Sequence, residues 1–269
     1  MEDRLGLAVT CGSETSLQAL NTFITCDTSY YDRNLEEVKS AAQSLDCPLL
    51  QIFLGELHMW VDSNQAPEQA TQYLLRANAM QMNERERMWL AAVTAWAQGY
   101  EDCVIDRYFE IVDAYPKDYM AARQGIVHCM RRGKQAEMLK FAQALLSPEG
   151  ARENPQALSI ASFAYVENDM LQEAEGFASR ALELEPGNAW AQHNMAHVHA
   201  TRDDFEQGLQ VLQGNEKTWK GKFIYTHNSW HSAIFNVLLG RKEEALQIFN
   251  DNIIGINWWH YLNRFHMLA

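Results

Sequence analysis

The chain has 269 residues, of which 47% are hydrophobic, and its formal net charge is −13. This share of apolar residues is enough to form a hydrophobic core, which excludes a chain that is disordered throughout. The strongly negative charge repels phosphate groups, so we expect neither nucleic acid nor an anionic membrane surface as a partner.

The cysteines and the first residues indicate a cytoplasmic protein. The five cysteines are scattered, odd in number and without a CxxC motif, which predicts reduced thiols rather than a disulfide framework. The opening MEDRLGLAV is charged at once, and its apolar run is too short for a signal peptide. No stretch approaches the roughly 18 apolar residues of a membrane span. We therefore expect a cytoplasmic location and no membrane association.

The first part of the chain predicts two helical hairpins. SETSLQALNTFITC begins with residues that can cap a helix, and NLEEVKSAAQSL supplies its partner helix. CPLLQIFLGELHMW and APEQATQYLLRANAM form the next hairpin, with a longer loop between them. No segment here or later in the sequence predicts a β-strand.

Residues 155–188 carry the tetratricopeptide pattern. Over roughly 34 residues, this pattern requires apolar or small residues at fixed positions and a proline near the end. Those positions hold Leu158, Ala161, Ser162, Tyr165, Ala174, Ala178, Ala181 and Pro186. Small residues at Ser162 and Ala174 allow two antiparallel helices to approach closely, and Pro186 ends the second helix.

The same register fits four further segments, residues 85–118, 119–148, 189–222 and 226–254. A residue that tolerates a left-handed backbone recurs between the two helices, at intervals of 34 to 37 residues. These turn residues are Gly99, Gly133, Asp169, Asp203 and Gly240. We therefore predict an all-α, tetratricopeptide-like solenoid of about seven helical hairpins, wound as a right-handed superhelix and forming a single domain over residues 1–269.

The segment NWWHYLNRFHMLA is apolar and aromatic, although the last repeat of a solenoid usually has a polar outer face. Its large rings belong to Trp258, Trp259, Tyr261 and Phe265. An exposed patch of this size is unusual on a soluble monomer. We expect the chain's own last repeats to cover it, or a second copy to do so in a homodimer.

Two pairs of histidines are the main chemical signal in the sequence. AWAQHNMAHVHA contains His193 and His197, and THNSWH contains His227 and His231, so both pairs have i, i+4 spacing. This spacing places each pair on one face of its helix, and the repeat register places both faces on the concave side of neighbouring repeats. We therefore predict that the four imidazoles point into one cavity. His199 is predicted to pack inside its own hairpin instead.

Three interpretations of this cluster are open. Histidines in the groove of a solenoid can simply hydrogen-bond to carbonyl groups and water, and nearby tryptophans at helical spacing are usually core residues. Alternatively, the four histidines bind a divalent metal ion, zinc or iron, because an HxxxH pair lets two imidazoles reach one ion. The same site also suits acid–base chemistry, because a neutral imidazole is available near pH 7. In a metal or acid–base site, Glu167 lies at the edge and Trp190 or Trp230 forms a wall. The third interpretation is a groove that binds a peptide.

The histidine segments resemble the tetratricopeptide repeat protein 38 family, in which an AW-x-x-H-x-x-AH segment precedes an HN-x-WH segment. SFAYVENDMLQEAE adds a phenylalanine and an acid that match the family. The matching positions, which we take as candidate ligand-binding residues, are Phe163, Glu167, Trp190, His193, His197, His227, Asn228, Trp230 and His231. The resemblance implies an α-helical repeat fold and little biochemistry.

The chain also departs from the family pattern. Family members have a His-Asp pair where this chain has Ile126 and Val127, and a glutamate where it has Ala200. They are also considerably longer. These differences remove two acids and one histidine from the predicted concave region, which leaves open whether a family site is altered or lost here.

Two functions follow from these observations. The first is a binding protein whose concave, His/Trp-lined pocket holds a small molecule or a segment of a partner protein. The second is an enzyme, metal-dependent or based on histidine acid–base chemistry, with His197, His231 and Glu167 as the candidate catalytic residues. No Ser/His/Asp order, phosphate-binding loop or nucleotide fingerprint points to a more definite reaction.

Overall fold

The computed structural model describes residues 1–28, 45–60, 64–220, 222 and 224–254. These residues divide into two compact units, with the boundary between Gly133 and Lys134. The prediction of one domain over the whole chain stays a prediction. The predicted helix over 34–45 lies outside the described residues except for its last position. The C-terminal aromatic segment lies wholly outside them, with Trp258, Trp259, Tyr261 and Phe265. The predicted homodimer depends on that segment and stays a prediction.

The described part of the first unit is helical. An isolated antiparallel bridge between Glu2 and Ala8 precedes the helices, and no longer strand occurs within the described residues. The helices are α1 (Glu14–Thr28), α2 (Pro48–Met59), α3 (Ala66–Asn78), α4 (Glu84–Ala97), α5 (Glu101–Ala114) and α6 (Tyr119–Arg131). Helices α2 and α3 pack on each other, as do α4 and α5.

The second unit continues the same pattern. Its α-helices are α7 (Gln135–Leu145), α8 (Pro155–Val166), α9 (Leu171–Leu184), α10 (Ala189–Thr201), α11 (Phe205–Trp219), α12 (Tyr225–Leu238) and α13 (Lys242–Ile248). A 3₁₀ turn (Ala151–Glu153) precedes α8, and a π-helical segment (Phe249–Ile254) follows α13. Helices α8 and α9, α10 and α11, and α12 and α13 pack as consecutive hairpins. The all-α, tetratricopeptide-like hairpin fold is therefore confirmed. The bounds of the five predicted repeats stay a prediction.

The five predicted turn residues all adopt the left-handed backbone that a tight interhelix turn requires. Their φ angles are +80° at Gly99, +64° at Gly133, +56° at Asp169, +58° at Asp203 and +78° at Gly240. Only glycine adopts this conformation without steric cost, and aspartate is among the residues that tolerate it best. The turn periodicity thus correctly indicated where one helix ends and the next begins.

Close helix packing in the second unit depends on the small residues that the repeat pattern predicts. Ala174, Ala178 and Ala181 on α9 are completely buried. Ser162 on α8 donates a hydrogen bond from its hydroxyl to the Ala174 carbonyl at 2.8 Å, which requires the two helices to approach closely. Among the described residues, no helix is both long and apolar enough to span a membrane.

Candidate functional site

Two packed helices of the second unit, α10 and α12, carry the four histidines. Asn188 caps α10, because its side chain accepts a hydrogen bond from the Ala191 amide at 2.9 Å. Helix α10 also contacts α8 and α11, so most of its surface is buried. The cluster thus forms on the face of α10 that meets α12, within one compact unit.

The four imidazoles converge as predicted. The Nε2 atom of His193 lies 3.0 Å from that of His197 and 2.9 Å from that of His227. The Nε2 atoms of His227 and His231 are 3.0 Å apart. One possible ligand nitrogen from each of the four residues lies within 4.8 Å of the other three. We call these four residues the histidine cluster.

Hydrogen bonding among the histidines cannot account for this arrangement. A neutral imidazole nitrogen has either one proton to donate or one lone pair to accept. The Nε2 atoms of His193 and His227 each face two other Nε2 atoms, so at most two of the three short contacts can be ordinary hydrogen bonds. At least one contact therefore joins two nitrogens between which no ordinary hydrogen bond forms.

Asn194 indicates which nitrogen of His193 carries the proton. Its amide nitrogen donates to the carbonyl of Ser159 on α8 at 2.7 Å, which fixes the orientation of the side chain. Its oxygen lies 3.4 Å from His193 Nδ1, where it can accept the Nδ1 proton. In that tautomer the Nε2 lone pair of His193 points into the cluster, as in metal-binding histidines whose other nitrogen is hydrogen-bonded.

Aromatic rings surround the cluster. Trp190 is stacked on His193 with ring centroids 4.8 Å apart and an angle of 4° between the planes, and Phe163 contacts Trp190 at 4.9 Å. Trp230 is stacked on His227 at 5.6 Å and meets His231 at 4.9 Å. Trp190 and Phe163 are buried, whereas 46% of the Trp230 surface is exposed.

The environment keeps the imidazoles neutral near pH 7. Burial lowers the pKa of His197 and that of His227 to about 4. Burial, reinforced by repulsion from His227 and His197, lowers the pKa of His231 to about 2. Burial and repulsion from the other three imidazoles lower the pKa of His193 well below its usual value. Neutral imidazole is the form that binds a metal ion.

Three other histidine, acid and amide side chains from the same sequence segments are not among the four clustered imidazoles. Glu167 lies half-buried at the end of α8, and it is not part of the group of potential metal ligands among the described residues. Burial, with a contribution from the charge of Asp169, raises the pKa of Glu167. Asn228 is completely buried, and neither polar atom of its side chain has a hydrogen-bond partner. His199 packs against Gly208 of α11, inside its own hairpin as predicted.

The positions at which the chain departs from the family pattern are apolar in the structure. Ile126 and Val127 are buried in α6 of the first unit. Ala200 is partly buried near the end of α10. None of the three side chains offers an atom that binds a metal ion.

The first unit contains a buried polar network that sequence patterns did not predict. Arg85 forms ion pairs with Asp118 at 2.7 Å and with Asp3 at 2.8 Å, and all three are buried. The indole nitrogen of Trp89 donates to Asp118 at 2.8 Å. The amides of Leu5, Leu7 and Ala121 donate to the remaining carboxylate oxygens of Asp3 and Asp118.

Glu56 on α2 is a second buried acid of the first unit. It accepts hydrogen bonds from the Tyr108 hydroxyl and, at 3.1 Å, from the Gln124 amide. Burial raises the pKa of Glu56 to about 8, against the opposing effect of the Tyr108 hydrogen bond. The nearby Asp27 is itself paired with Arg123. No repeat or spacing in the sequence pointed to these contacts, because they join residues far apart in the chain.

Comparison with known proteins agrees with the helical architecture. No protein-family model matches the chain. A tetratricopeptide repeat protein from Parabacteroides merdae ATCC 43184 superposes with a TM-score of 0.51 over 75% of this chain and 78% of that chain, at 15% sequence identity. The fold is that of a tetratricopeptide repeat protein. At this identity, the similarity concerns the fold alone.

Two further solved structures are similar over a smaller part of the chain. The crystal structure of MamA has a TM-score of 0.46 and 16% identity, covering 65% of this chain and 95% of that chain. MamA 41-end from Desulfovibrio magneticus RS-1 has a TM-score of 0.44 and 14% identity, covering 63% of this chain and 96% of that chain.

Proposed function

We propose that this protein is a metal-binding tetratricopeptide repeat protein, in which His193, His197, His227 and His231 together hold one divalent ion of the zinc or iron type. The observation that carries the proposal is the convergence of four Nε2 atoms, with three of the pairs 2.9–3.0 Å apart. Four nitrogens that surround a zinc ion tetrahedrally at roughly 2.0–2.1 Å are about 3.3 Å from one another. Small side-chain rotations would bring the cluster to that geometry.

A bound cation resolves the conflict among the nitrogens. With every Nε2 deprotonated, the four lone pairs repel one another, but all of them become donors to an ion at their centre. Imidazole nitrogen suits zinc and iron, and no thiol or carboxylate among the described residues joins the cluster. The Asn194 side chain supports the required tautomer of His193.

The same geometry favours binding over catalysis. Four protein ligands complete a tetrahedral zinc site, whereas a catalytic zinc keeps one position for water or substrate. The lowered pKa values also make the imidazoles weak bases and leave them unprotonated near pH 7, which disfavours acid–base catalysis by His197 or His231. Glu167 adds no acid to the ligand group.

The ion would join α10 to α12, and the aromatic rings would define the surface at which a partner is bound. Trp190 and Phe163 are buried beneath the cluster, whereas Trp230 combines an exposed face with contacts to His227 and His231. We place the small molecule or partner segment of this binding protein against Trp230. We also propose that the chain belongs to the tetratricopeptide repeat protein 38 family, on the strength of the two histidine segments.

Metal titration of chelator-stripped full-length protein tests this proposal. Isothermal titration with Zn²⁺ should give one site per chain, and Co²⁺ should give the intense visible absorption of a tetrahedral complex. The double variant His197→Ala, His231→Ala should lose both signals while its circular dichroism remains helical.

His199→Ala is the matched control, because His199 lies on the same helix as His193 and His197 but packs against Gly208. It should keep the full stoichiometry of Zn²⁺ binding. Unchanged Zn²⁺ binding in the double variant would instead place the metal elsewhere and overturn the proposal.

A further inference from the structure

The folded first unit brings two cysteines together. Cys11 and Cys47 lie 36 positions apart in the sequence, yet their sulfur atoms are 3.0 Å apart. This distance is only about 1 Å longer than a disulfide bond. Cys47 is completely buried at the N-cap position of α2, where its side chain makes no capping hydrogen bond, whereas Cys11 is partly exposed.

Backbone hydrogen bonds on both sides of Cys11 hold it in this position. The Thr10 amide donates to the Glu86 carboxylate at 2.7 Å, and the Gly12 amide donates to the Asp46 carbonyl at 2.7 Å. A Cβ atom at Gly12 would lie 2.4 Å from a carboxylate oxygen of Asp46 and 2.9 Å from its Cβ. Glycine at this position therefore permits the close approach of the two segments that carry Cys11 and Cys47.

We propose that Cys11 and Cys47 form a peroxide-reactive thiol pair, in which Cys11 is the residue that is oxidised first and Cys47 the residue that resolves it to a disulfide. The proposal is independent of the metal site, because the pair lies in the first unit and the histidine cluster lies in the second. A reactive thiol next to a resolving thiol is the usual arrangement in redox-sensitive cysteine pairs.

The two sulfurs differ in the way these roles require. The hydrogen bond with Cys47 lowers the pKa of Cys11, against the opposing effect of burial. The same hydrogen bond, together with burial, raises the pKa of Cys47. The thiolate is the nucleophilic form of cysteine, so the partly exposed Cys11 is the sulfur that a small oxidant reaches and reacts with.

The reaction balances with hydrogen peroxide as the oxidant. The Cys11 thiolate attacks one peroxide oxygen, the O–O bond breaks, and the product is Cys11 sulfenic acid, with the departing hydroxide protonated to water. Cys47 then attacks the Cys11 sulfur, an S–S bond forms, and hydroxide leaves and becomes water with the Cys47 thiol proton. Two thiols and one peroxide thus give one disulfide and two water molecules, with the two electrons supplied by the sulfurs.

The disulfide would close a loop that contains α1. A cross-link of this kind restricts the unfolded chain more than the folded one. Oxidation should therefore raise the thermal midpoint of the first unit and protect α1 from proteolysis.

Peptide mapping of the full-length protein after treatment with hydrogen peroxide tests the proposal. In the presence of a chelator, the reduced protein should lose two hydrogen atoms in mass and yield a peptide that links Cys11 to Cys47. Dithiothreitol should reverse the change. In Cys47→Ser, which keeps a hydrogen-bond donor beside Cys11 but cannot form the disulfide, Cys11 should instead accumulate as a sulfenic acid that dimedone traps.

Cys103→Ser is the matched control, because Cys103 is an exposed thiol of the same unit. It should leave the rate and the product of the reaction unchanged. If peroxide oxidises Cys103 without linking Cys11 to Cys47, or if Cys11 in Cys47→Ser gives no dimedone adduct, the pair is an ordinary packing contact and the proposal is wrong.

Discussion

The two units bury polar side chains in different ways. In the first unit, the carboxylate oxygens of Asp3 and Asp118 all face donors, supplied by the Arg85 guanidinium, the Trp89 indole and backbone amides. In the second unit, the nitrogens of the histidine cluster face one another. The carboxylate oxygens of the first network are all matched by donors, although the Nη2 nitrogen of Arg85 has no hydrogen-bond partner. The neutral nitrogens of the histidine cluster instead call for a cation that accepts their lone pairs.

This contrast predicts that metal ions change the stability of the second unit only. A ligand that binds the folded state with a free concentration a thousandfold above its Kd stabilises that state by about 4 kcal/mol. We expect Zn²⁺ to raise the free energy of unfolding of the second unit by this order, and His193→Ala to abolish the effect. Denaturant unfolding monitored by hydrogen exchange would resolve the two units. If Zn²⁺ stabilises the second unit of the His193→Ala protein as much as that of the wild type, the contrast between the two units is wrong.

Disrupting the first network should be costly with or without metal. Arg85→Met leaves two buried carboxylates without their cationic partner, which should destabilise the first unit by about 3–5 kcal/mol. Arg107→Met is the control, because the Arg107–Glu110 pair is half exposed and should contribute less than about 1 kcal/mol. Chemical denaturation at constant pH measures both. A cost for Arg85→Met as small as that of the control would show that the guanidinium is not needed to balance the two buried carboxylates.

Glu56 gives the first unit a pH dependence of defined sign. Its folded pKa of about 8 lies above the ordinary value of 4.5, so the folded state holds a proton that the unfolded state has already lost. The contribution of Glu56 to stability is thus fully present below pH 4.5 and is lost as the pH rises to about 8. Glu56→Gln mimics the protonated acid and should be more stable than the wild type at pH 9, by on the order of 2–4 kcal/mol.

The measurement for Glu56 is the unfolding free energy of both proteins between pH 4.5 and pH 9. The two curves should coincide at the acid end and separate with rising pH. Parallel curves across this range would show that Glu56 is ionised in the folded protein.

Substitutions at the interhelix turns should change the stability of the two units least. The left-handed turn position in the first unit is glycine at Gly99, whereas two of the turns in the second unit have Asp169 and Asp203 there. A residue with a side chain pays a steric cost in this conformation that glycine avoids. Asp169→Gly should therefore stabilise the second unit by roughly 0.5 kcal/mol, and Gly99→Ala should destabilise the first by about 1 kcal/mol. The thermal midpoint should rise in Asp169→Gly and fall in Gly99→Ala. A change of the opposite sign in either variant would contradict this expectation.

The sequence predicted the parts of this molecule that are periodic. The turn residues recur at 34 to 37 positions, and the helical hairpins follow from them. The histidine cluster was predictable for the same reason, because i, i+4 spacing fixes one face of a helix and the repeat fixes which helices are neighbours. The position of Trp190 beside His193 follows from the same helix geometry.

Contacts that ignore the repeat were not predictable. The Arg85–Asp3 pair, the Tyr108–Glu56 hydrogen bond and the Cys11–Cys47 contact join residues 82, 52 and 36 positions apart. They depend on how the N-terminal segment and α2 pack in three dimensions, for which no spacing rule exists. The role of Asn194 was missed for a related reason, since it depends on a carbonyl of the preceding repeat.

X-ray absorption spectroscopy at the metal edge tests the central claim most directly. Untagged full-length protein, loaded with one equivalent of Zn²⁺, should give a first shell of four nitrogen atoms at roughly 2.0–2.1 Å with the multiple scattering of imidazole rings. A shell that contains sulfur, or one made mainly of oxygen from water and carboxylates, would contradict the assignment of the site to His193, His197, His227 and His231.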